Sequence, residues 1–384
     1  MKSFRIDEEK YLSDQEIMTA ILDASRGKRN RKDVQKVLMN LDYYVPKIRE
    51  MILTESYHPR HHGTMTIQTD HKSREITKPD FYPEQIVHHI LVDAFQDALM
   101  DGMIENSFGS IPSRGCKAGM KKIKKWIRDD PKGTRYVFQG DVHHFFQSVD
   151  HEILINMITK KIRPCHMRNI WIQVINEGGE GLPIGFYTSQ WNGNFYLTVL
   201  DHFILSIDGV DHYARYMDDI VVFGRNKKKL HKIQQKVDSF LWNNLHLCLK
   251  NNWQVYPLEY VKNGQTRGRP VNIMGFKFYR TRTVLRPSIA YAGAKCARNL
   301  SRLGHWNRQI AASVISFKGW YSITDTYTFF ETYVKPYVSY RQVRKFLSRH
   351  PKKNDSLRAQ AARMAIADGQ APETVQEYFR HKEK

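Results

Sequence analysis

Three aspartates carry the chemistry that this sequence can support. Asp218 and Asp219 are adjacent in Tyr216-Met217-Asp218-Asp219, flanked by His212-Tyr213-Ala214-Arg215 and Ile220-Val221-Val222-Phe223. Aromatic and β-branched residues on both sides predict two short strands joined by a tight hairpin, with both acids at its tip. Neighbouring carboxylates repel each other, and a divalent cation is the usual neutraliser where phosphoryl groups are transferred. Taken alone, an Asp-Asp pair is an ordinary polar turn. A third acid changes that reading. Asp141 follows the predicted strand Tyr136–Gly140 and precedes Val142-His143-His144-Phe145-Phe146. A strand placed beside the hairpin would let Asp141 and Asp218 share metals about 3.5–4 Å apart.

The elements that must position these acids read as a mixture of helices and short strands. Residues 1 to about 56 pattern as helix, interrupted by the charged segment Arg26-Gly27-Lys28-Arg29-Asn30-Arg31-Lys32. Apolar periodicity predicts a helix over Ile86–Met100 and another over Met120–Ile127 with Lys121, Lys122, Lys124 and Lys125 on a basic face. Ser107–Gly115 reads as a loop. Helices are expected near 150–160 and 166–176, and a glycine-rich loop (178–185) precedes one long apolar helix, Ser189–Ile207. After the hairpin come a helix (226–244), a strand near Leu245–Leu249, a strand pair within Val271–Leu285, and helices from about Ser288 onward.

Lys+Arg 60 against Asp+Glu 39 gives a net charge of +21, which points to a polyanionic partner. From Leu285 onward there are 18 Lys/Arg against 7 Asp/Glu, so about half of the excess lies in the last quarter. Aromatics at 12% argue against a disordered basic tail. The four cysteines are scattered without a Cys-x-x-Cys pair, which disfavours disulfides and thiolate zinc sites and suits a reducing, cytoplasmic compartment. The paired histidines His61-His62, His88-His89 and His143-His144 lack partners at metal spacing and read as surface or core residues. No apolar run reaches a membrane span, and Met1-Lys2-Ser3-Phe4 opens no signal-peptide core.

Taken in order, Phe138–Asp150, Gly181–Leu197 and Tyr216–Asp219 resemble the palm motifs of a reverse transcriptase. Arg74–Pro79 resembles the first fingers motif, Ser107–Gly115 the next, and Ile273–Phe278 the primer-grip hairpin, so the resemblance covers about residues 60 to 285. It implies an α+β right hand: an N-terminal helical extension (1–60), interleaved fingers and palm with a small antiparallel sheet (61–285), and a helical basic thumb (286–384). Helices are expected on one face of that sheet. The implied reaction is transfer of a deoxynucleotide to a primer 3′-hydroxyl on template RNA, with deoxynucleoside triphosphates as substrates and the RNA–DNA hybrid as product. Two Mg²⁺ ions are implied, with Mn²⁺ as the alternative ion.

The family assigns Asp141, Asp218 and Asp219 as the catalytic acids, with the Val142 carbonyl as a further metal ligand. Arg74, Lys78, Phe146, Ile184, Gly185 and Gln190 fall in the nucleotide-binding motifs, with Phe146 beneath the sugar. Tyr216, Met217 and Gly275 fall beside the primer and template. The family lysine that protonates pyrophosphate aligns with Trp253, while Lys250 stands three residues earlier. Most relatives carry Gln before Gly185 and Pro after Ser189. Ile184 and Gln190 resemble instead the enzymes of diversity-generating retroelements, which miscopy template adenines during mutagenic retrohoming. Phe186 departs from that subfamily, where Asn is commoner. The subfamily, bacterial or phage-encoded, implies a small basic accessory protein. Retron-like or phage-defence enzymes, group II intron proteins, and a non-catalytic RNA-binding protein on the same fold are the competing readings.

Overall fold

In the computed structural model, residues 3–58, 63–69, 72–350 and 355–380 are described; His61-His62 lie outside them. A four-stranded antiparallel sheet stands at the centre, in the order His212–Tyr216, Asp219–Gly224, Tyr136–Asp141, Gln254–Pro257. Its register places Asp141 opposite Asp219 and Gly140 opposite Ile220. Strand alternation divides the buried side chains between the two faces. Phe138, Ile220, Val222 and Val255 join one core, whereas Val137, Val221, Phe223 and Tyr256 join another.

Both faces are therefore covered, not one as expected. The first core is shared with helices Lys227–Leu245, Tyr187–Tyr196 and Thr198–Ser206. The second contains helix Cys116–Asp129, a three-stranded sheet and the basic helices that follow it. That sheet consists of Val271–Ile273, Phe276–Phe278 and Thr283–Leu285, one strand more than the expected pair.

The helices at Ile86–Met100, His151–Lys161 and His166–Asn176 lie where periodicity places them. The expected long helix over Ser189–Ile207 is instead two, broken at Leu197. The Asn194 carbonyl there accepts from Thr198 Oγ1 at 3.2 Å and Arg215 Nη2 at 3.4 Å, and side-chain partners of this kind compete with the helical ladder. The strand expected at Leu245–Leu249 is absent. His246 ends the preceding helix in the left-handed region (φ 50°), and only Leu249 makes a β-bridge, to Val142.

The described residues of 286–380 are divided between the two cores. Helices Pro287–Arg302, Arg308–Tyr321 and Tyr340–Arg349 build the second core, in which Tyr321 is buried and donates to Ala290 O at 2.5 Å. Helices Asp355–Ala367 and Pro372–Arg380 instead place Ala362, Ile366, Val375 and Phe379 in the first core with the N-terminal helices Asp14–Ala24 and Leu41–Leu53. Gln376 Oε1 accepts from the Asp42 amide at 3.3 Å, and Arg363 pairs with Asp23 at 2.5 Å. No helix among the described residues is long and apolar enough to cross a membrane.

One buried ion pair ties the sheet to the broken helix. Arg215 and Asp201 both have no exposed side-chain surface and make a bidentate contact at 2.7 and 2.6 Å. Tyr213 also donates to Asp201, at 2.6 Å, and Arg215 Nη1 donates to Asn194 Oδ1 and to the Met217 carbonyl. Removing one partner strands an uncompensated buried charge. We expect Arg215→Met to lose about 3–5 kcal/mol in denaturant unfolding, with part of it recovered in Arg215→Met/Asp201→Leu. Single-variant stability equal to the parent's would sink this account.

Candidate active site

Strand pairing brings the three aspartates together. Tyr216 pairs with Asp219, so the hairpin loop is Met217-Asp218; Asp219 opens the return strand instead of sharing the tip. Met217 adopts φ 53°, a conformation that suits the first loop position of a two-residue hairpin. Its carbonyl is held by Arg215, and Gly109 lies against its backbone. A Cβ at Gly109 would sit 2.6 Å from the Met217 nitrogen, so this close approach requires glycine. The Asp218 carbonyl accepts from the buried Val142 amide at 3.2 Å, locking the loop to the end of the Asp141 strand.

The acids are electrostatically frustrated. Burial, and then the charge of Asp141 and a hydrogen bond to it, push the Asp218 carboxyl up to about 7, with Asp219 adding to the effect. Asp141 Oδ2 is paired with the Lys250 ammonium, whereas its Oδ1 is buried with no hydrogen-bond partner. Only a protonated Asp218 could donate to Asp141, so with both acids ionised this oxygen faces negative charge. Two hard oxygen donors and an orphaned buried oxygen fit a divalent cation. Among the described residues, however, no group of three or more His, Cys, Asp or Glu is arranged to hold a metal. The arrangement is a converged pair, Asp141 and Asp218, with Asp219 beside it in the ladder.

Asp218 and Lys250 line a cleft of about 1190 Å³. Arg74, Lys78, Phe146, Ile184, Gly185 and Gln190 line it too. Arg74 lies on the hairpin of Thr64–Thr69 and Lys72–Thr77, and Lys78 follows that hairpin's second strand. This hairpin is joined to the glycine loop by Thr77 N donating to Ile184 O at 2.8 Å. Gly185 has φ 126°, and a Cβ there would fall 2.0 Å from the Thr77 carbonyl. Phe146 packs on Phe145, ring centroids 5.2 Å apart.

Tyr216, Met217 and Gly275 lie outside the cleft lining. Burial raises the Tyr216 phenol, which accepts from the Cys116 thiol at 3.4 Å. Gly275 O accepts from Arg286 N at 2.8 Å, in the turn between two strands of the three-stranded sheet.

Sequence reasoning passed over several residues. Lys28 and Arg31, from the charged N-terminal segment, line the cleft 43 or more residues before the fingers motif begins. Lys28 contacts Gln85 Oε1, and burial followed by the Arg31 charge lowers its ammonium. Of the two residues near the aligned lysine position, Lys250 donates its amide to Asp141 O at 2.8 Å, whereas Trp253 packs against the first core beside His231.

Residues 84–252 match the family model described as reverse transcriptase (RNA-dependent DNA polymerase). That similarity is confined to less than half of the chain. The matched residues include all three aspartates and Lys250, but not Arg74, Lys78 or Gly275. The group II intron-encoded protein LtrA of Lactococcus lactis subsp. cremoris is 24% identical over 202 residues, 49% of this chain and 31% of that protein. Protein YkfC of Escherichia coli (strain K12) is 22% identical over 191 residues, 45% and 44% of the two chains. The match thus spans less than half of either relative. A chain of telomerase from Candida albicans, solved with a telomeric RNA fragment, aligns over 83% of this chain and 60% of its own. Identity there is 10% and the TM-score 0.42, too low to carry an argument.

The raised Asp218 carboxyl has a definite sign in stability. Between the ordinary carboxylate value and about 7 the folded chain binds a proton that the unfolded chain does not, so folding weakens as pH rises through that window. We expect Asp218→Asn, without added divalent metal, to raise the melting temperature by about 2 °C or more at pH 8 and to change it little at pH 5. An equal shift at both pH values would refute the buried-carboxylate explanation.

Proposed function

We propose that the chain is an RNA-directed DNA polymerase, extending a primer 3′-hydroxyl with deoxynucleotides on an RNA template. The observation that carries this is the convergence of Asp141 with Asp218, which lines a cation-bearing cleft, within a region that matches the reverse transcriptase model. Asp141 and Asp218, with Asp219 and the Val142 carbonyl nearby, would hold divalent metal, Mg²⁺ or Mn²⁺. When bound, that metal would acidify the attacking hydroxyl and offset charge on the triphosphate.

The chain's own residues supply position and charge. Arg74 and Lys78 would take the triphosphate oxygens, with Lys28 and Arg31 adding positive potential from the N-terminal segment. The Gly185 backbone, held close to the Thr77 carbonyl, would lie against the nucleotide. The Phe146 ring would occupy the space of a ribose 2′-hydroxyl and favour deoxynucleotides. Lys250, which pairs with Asp141, would give a proton to departing pyrophosphate. Tyr216 and Gly275 would border the primer.

In a primer-extension assay on RNA with Mg²⁺, Asp218→Asn should reduce the rate by about a hundredfold or more while RNA binding persists. Extension that survives this substitution would leave only the RNA-binding reading.

We further infer error-prone copying of the retroelement kind, with Ile184 as its support. An apolar side chain at this place in the cleft offers no hydrogen bond that a wrong nucleotide would fail to make. Replacing Ile184 with Gln should reduce misincorporation opposite template adenine severalfold, as read by sequencing the products. An unaltered error spectrum would remove Ile184 from the explanation.

A further inference from the structure

Helix Cys116–Asp129 has two faces of opposite character. Gly119, Met120, Ile123 and Ile127 are buried, and a Cβ at Gly119 would fall 2.3 Å from Met274 Sδ. The Trp126 ring stacks on His212 with centroids 5.0 Å apart. The helix is thus fixed against both the central sheet and the three-stranded sheet. On the other face Lys117, Lys121, Lys124, Lys125 and Arg128 are all exposed. At 100° per residue they fall within an arc of about 100°, over a length of about 16 Å. Lys132 and Arg135 are exposed just beyond the helix end.

Nearby acids offset only part of this charge. Glu105, Asp129 and Asp325 pair with Lys122, Arg128 and Lys124, at 3.0, 2.6 and 3.5 Å. Lys117, Lys121 and Lys125 make no ion pair among the described residues. At the helix end a pocket of about 370 Å³ is lined by Lys124, Arg128, Tyr279, Arg280 and Arg282. Arg282 lies over the Tyr279 ring, 4.2 Å from its centroid, with Glu259 3.7 Å away, and Thr134 Oγ1 fixes Arg280 at 2.9 Å. None of these residues lines the catalytic cleft.

We propose that this stripe is a second RNA-binding surface, holding the phosphate backbone of a structured RNA outside the cleft. A protein partner would need an apolar centre to its interface. None of the large exposed apolar side chains falls within residues 116–135. A phosphate backbone needs only spaced positive charge, and the stripe's length matches about five phosphates of one strand at duplex spacing. Lysines provide point charges without the planar fork that reads bases, so the surface recognises backbone and not sequence.

The test uses the whole chain and a blunt RNA hairpin with no recessed 3′ end, followed by fluorescence anisotropy across a KCl titration. Lys117→Gln/Lys121→Gln/Lys125→Gln should weaken binding about tenfold and reduce the salt slope by about 2 to 3. The corresponding triple Arg variant should bind like the parent, and both triple variants should melt with it. Extension of a saturating short primer–template should be unchanged in the Gln variant. Parent-like affinity and slope in that variant would overturn the proposal. Equal loss of extension would overturn it differently, by assigning the stripe to the duplex held in the cleft. Lost affinity for polyglutamate with unchanged hairpin binding would assign it to an acidic protein. Because binding is read without primer or nucleotide, failure here leaves the polymerase reading intact.

Discussion

A single guanidinium holds the acidic loop in place. Arg215 reaches from the strand before the acidic loop to Asp201 on one helix, Asn194 on another, and the carbonyl of Met217 in the loop itself. Burying a charge pair completely costs desolvation energy that its mutual attraction only partly offsets, so its value lies in placement. Met217 must hold φ 53° for Asp218 to face Asp141, and the loop is fixed by this side chain on one side and the Val142 amide on the other. Asn194 completes the brace, donating to the Gly109 carbonyl at 2.7 Å. The loop beside the acids is thus joined to the same network.

Against this rigid support the electrostatics are deliberately unbalanced. A chain of net charge +21 gathers its acids where they destabilise one another, and Lys250 compensates only one oxygen of Asp141. The cleft beyond them draws cations from the N-terminal segment, the 64–77 hairpin and the segment after the acidic hairpin. Such a field attracts polyphosphate and leaves the acids receptive to a cation. The same sign continues on the outer surface of helix Cys116–Asp129, outside the cleft lining.

Much of this architecture was readable because local pattern and final environment agreed. The aromatic and β-branched residues of 212–224 and 136–141 form the strands they suggest, and the periodic run at 86–100 forms its helix. What escaped prediction depended on partners remote in sequence. Arg215 and Asp201 look like ordinary polar residues until they meet inside the molecule. Lys28 and Arg31 look like solvated charge until the fold carries them to the cleft. The break at Leu197 follows from side chains competing for one carbonyl, which apolar periodicity cannot register. A short apolar run such as 245–249 is compatible with a strand, but a left-handed residue at His246 turns it away. Lys250 reaches Asp141 because Leu249 alone bridges to Val142, bringing the next residue alongside.

The pairing of helices 355–380 with those of 14–53 has a consequence for how the molecule is made. Val375 and Phe379 join a hydrophobic core that also holds Ile21, Val45 and Ile48, residues made more than three hundred positions earlier. During synthesis the early helices must wait with apolar surface uncovered, a condition that favours aggregation. Their final sealing is therefore a late event, and it couples the two distant stretches so that damage to either loosens the wall from which Lys28 and Arg31 project.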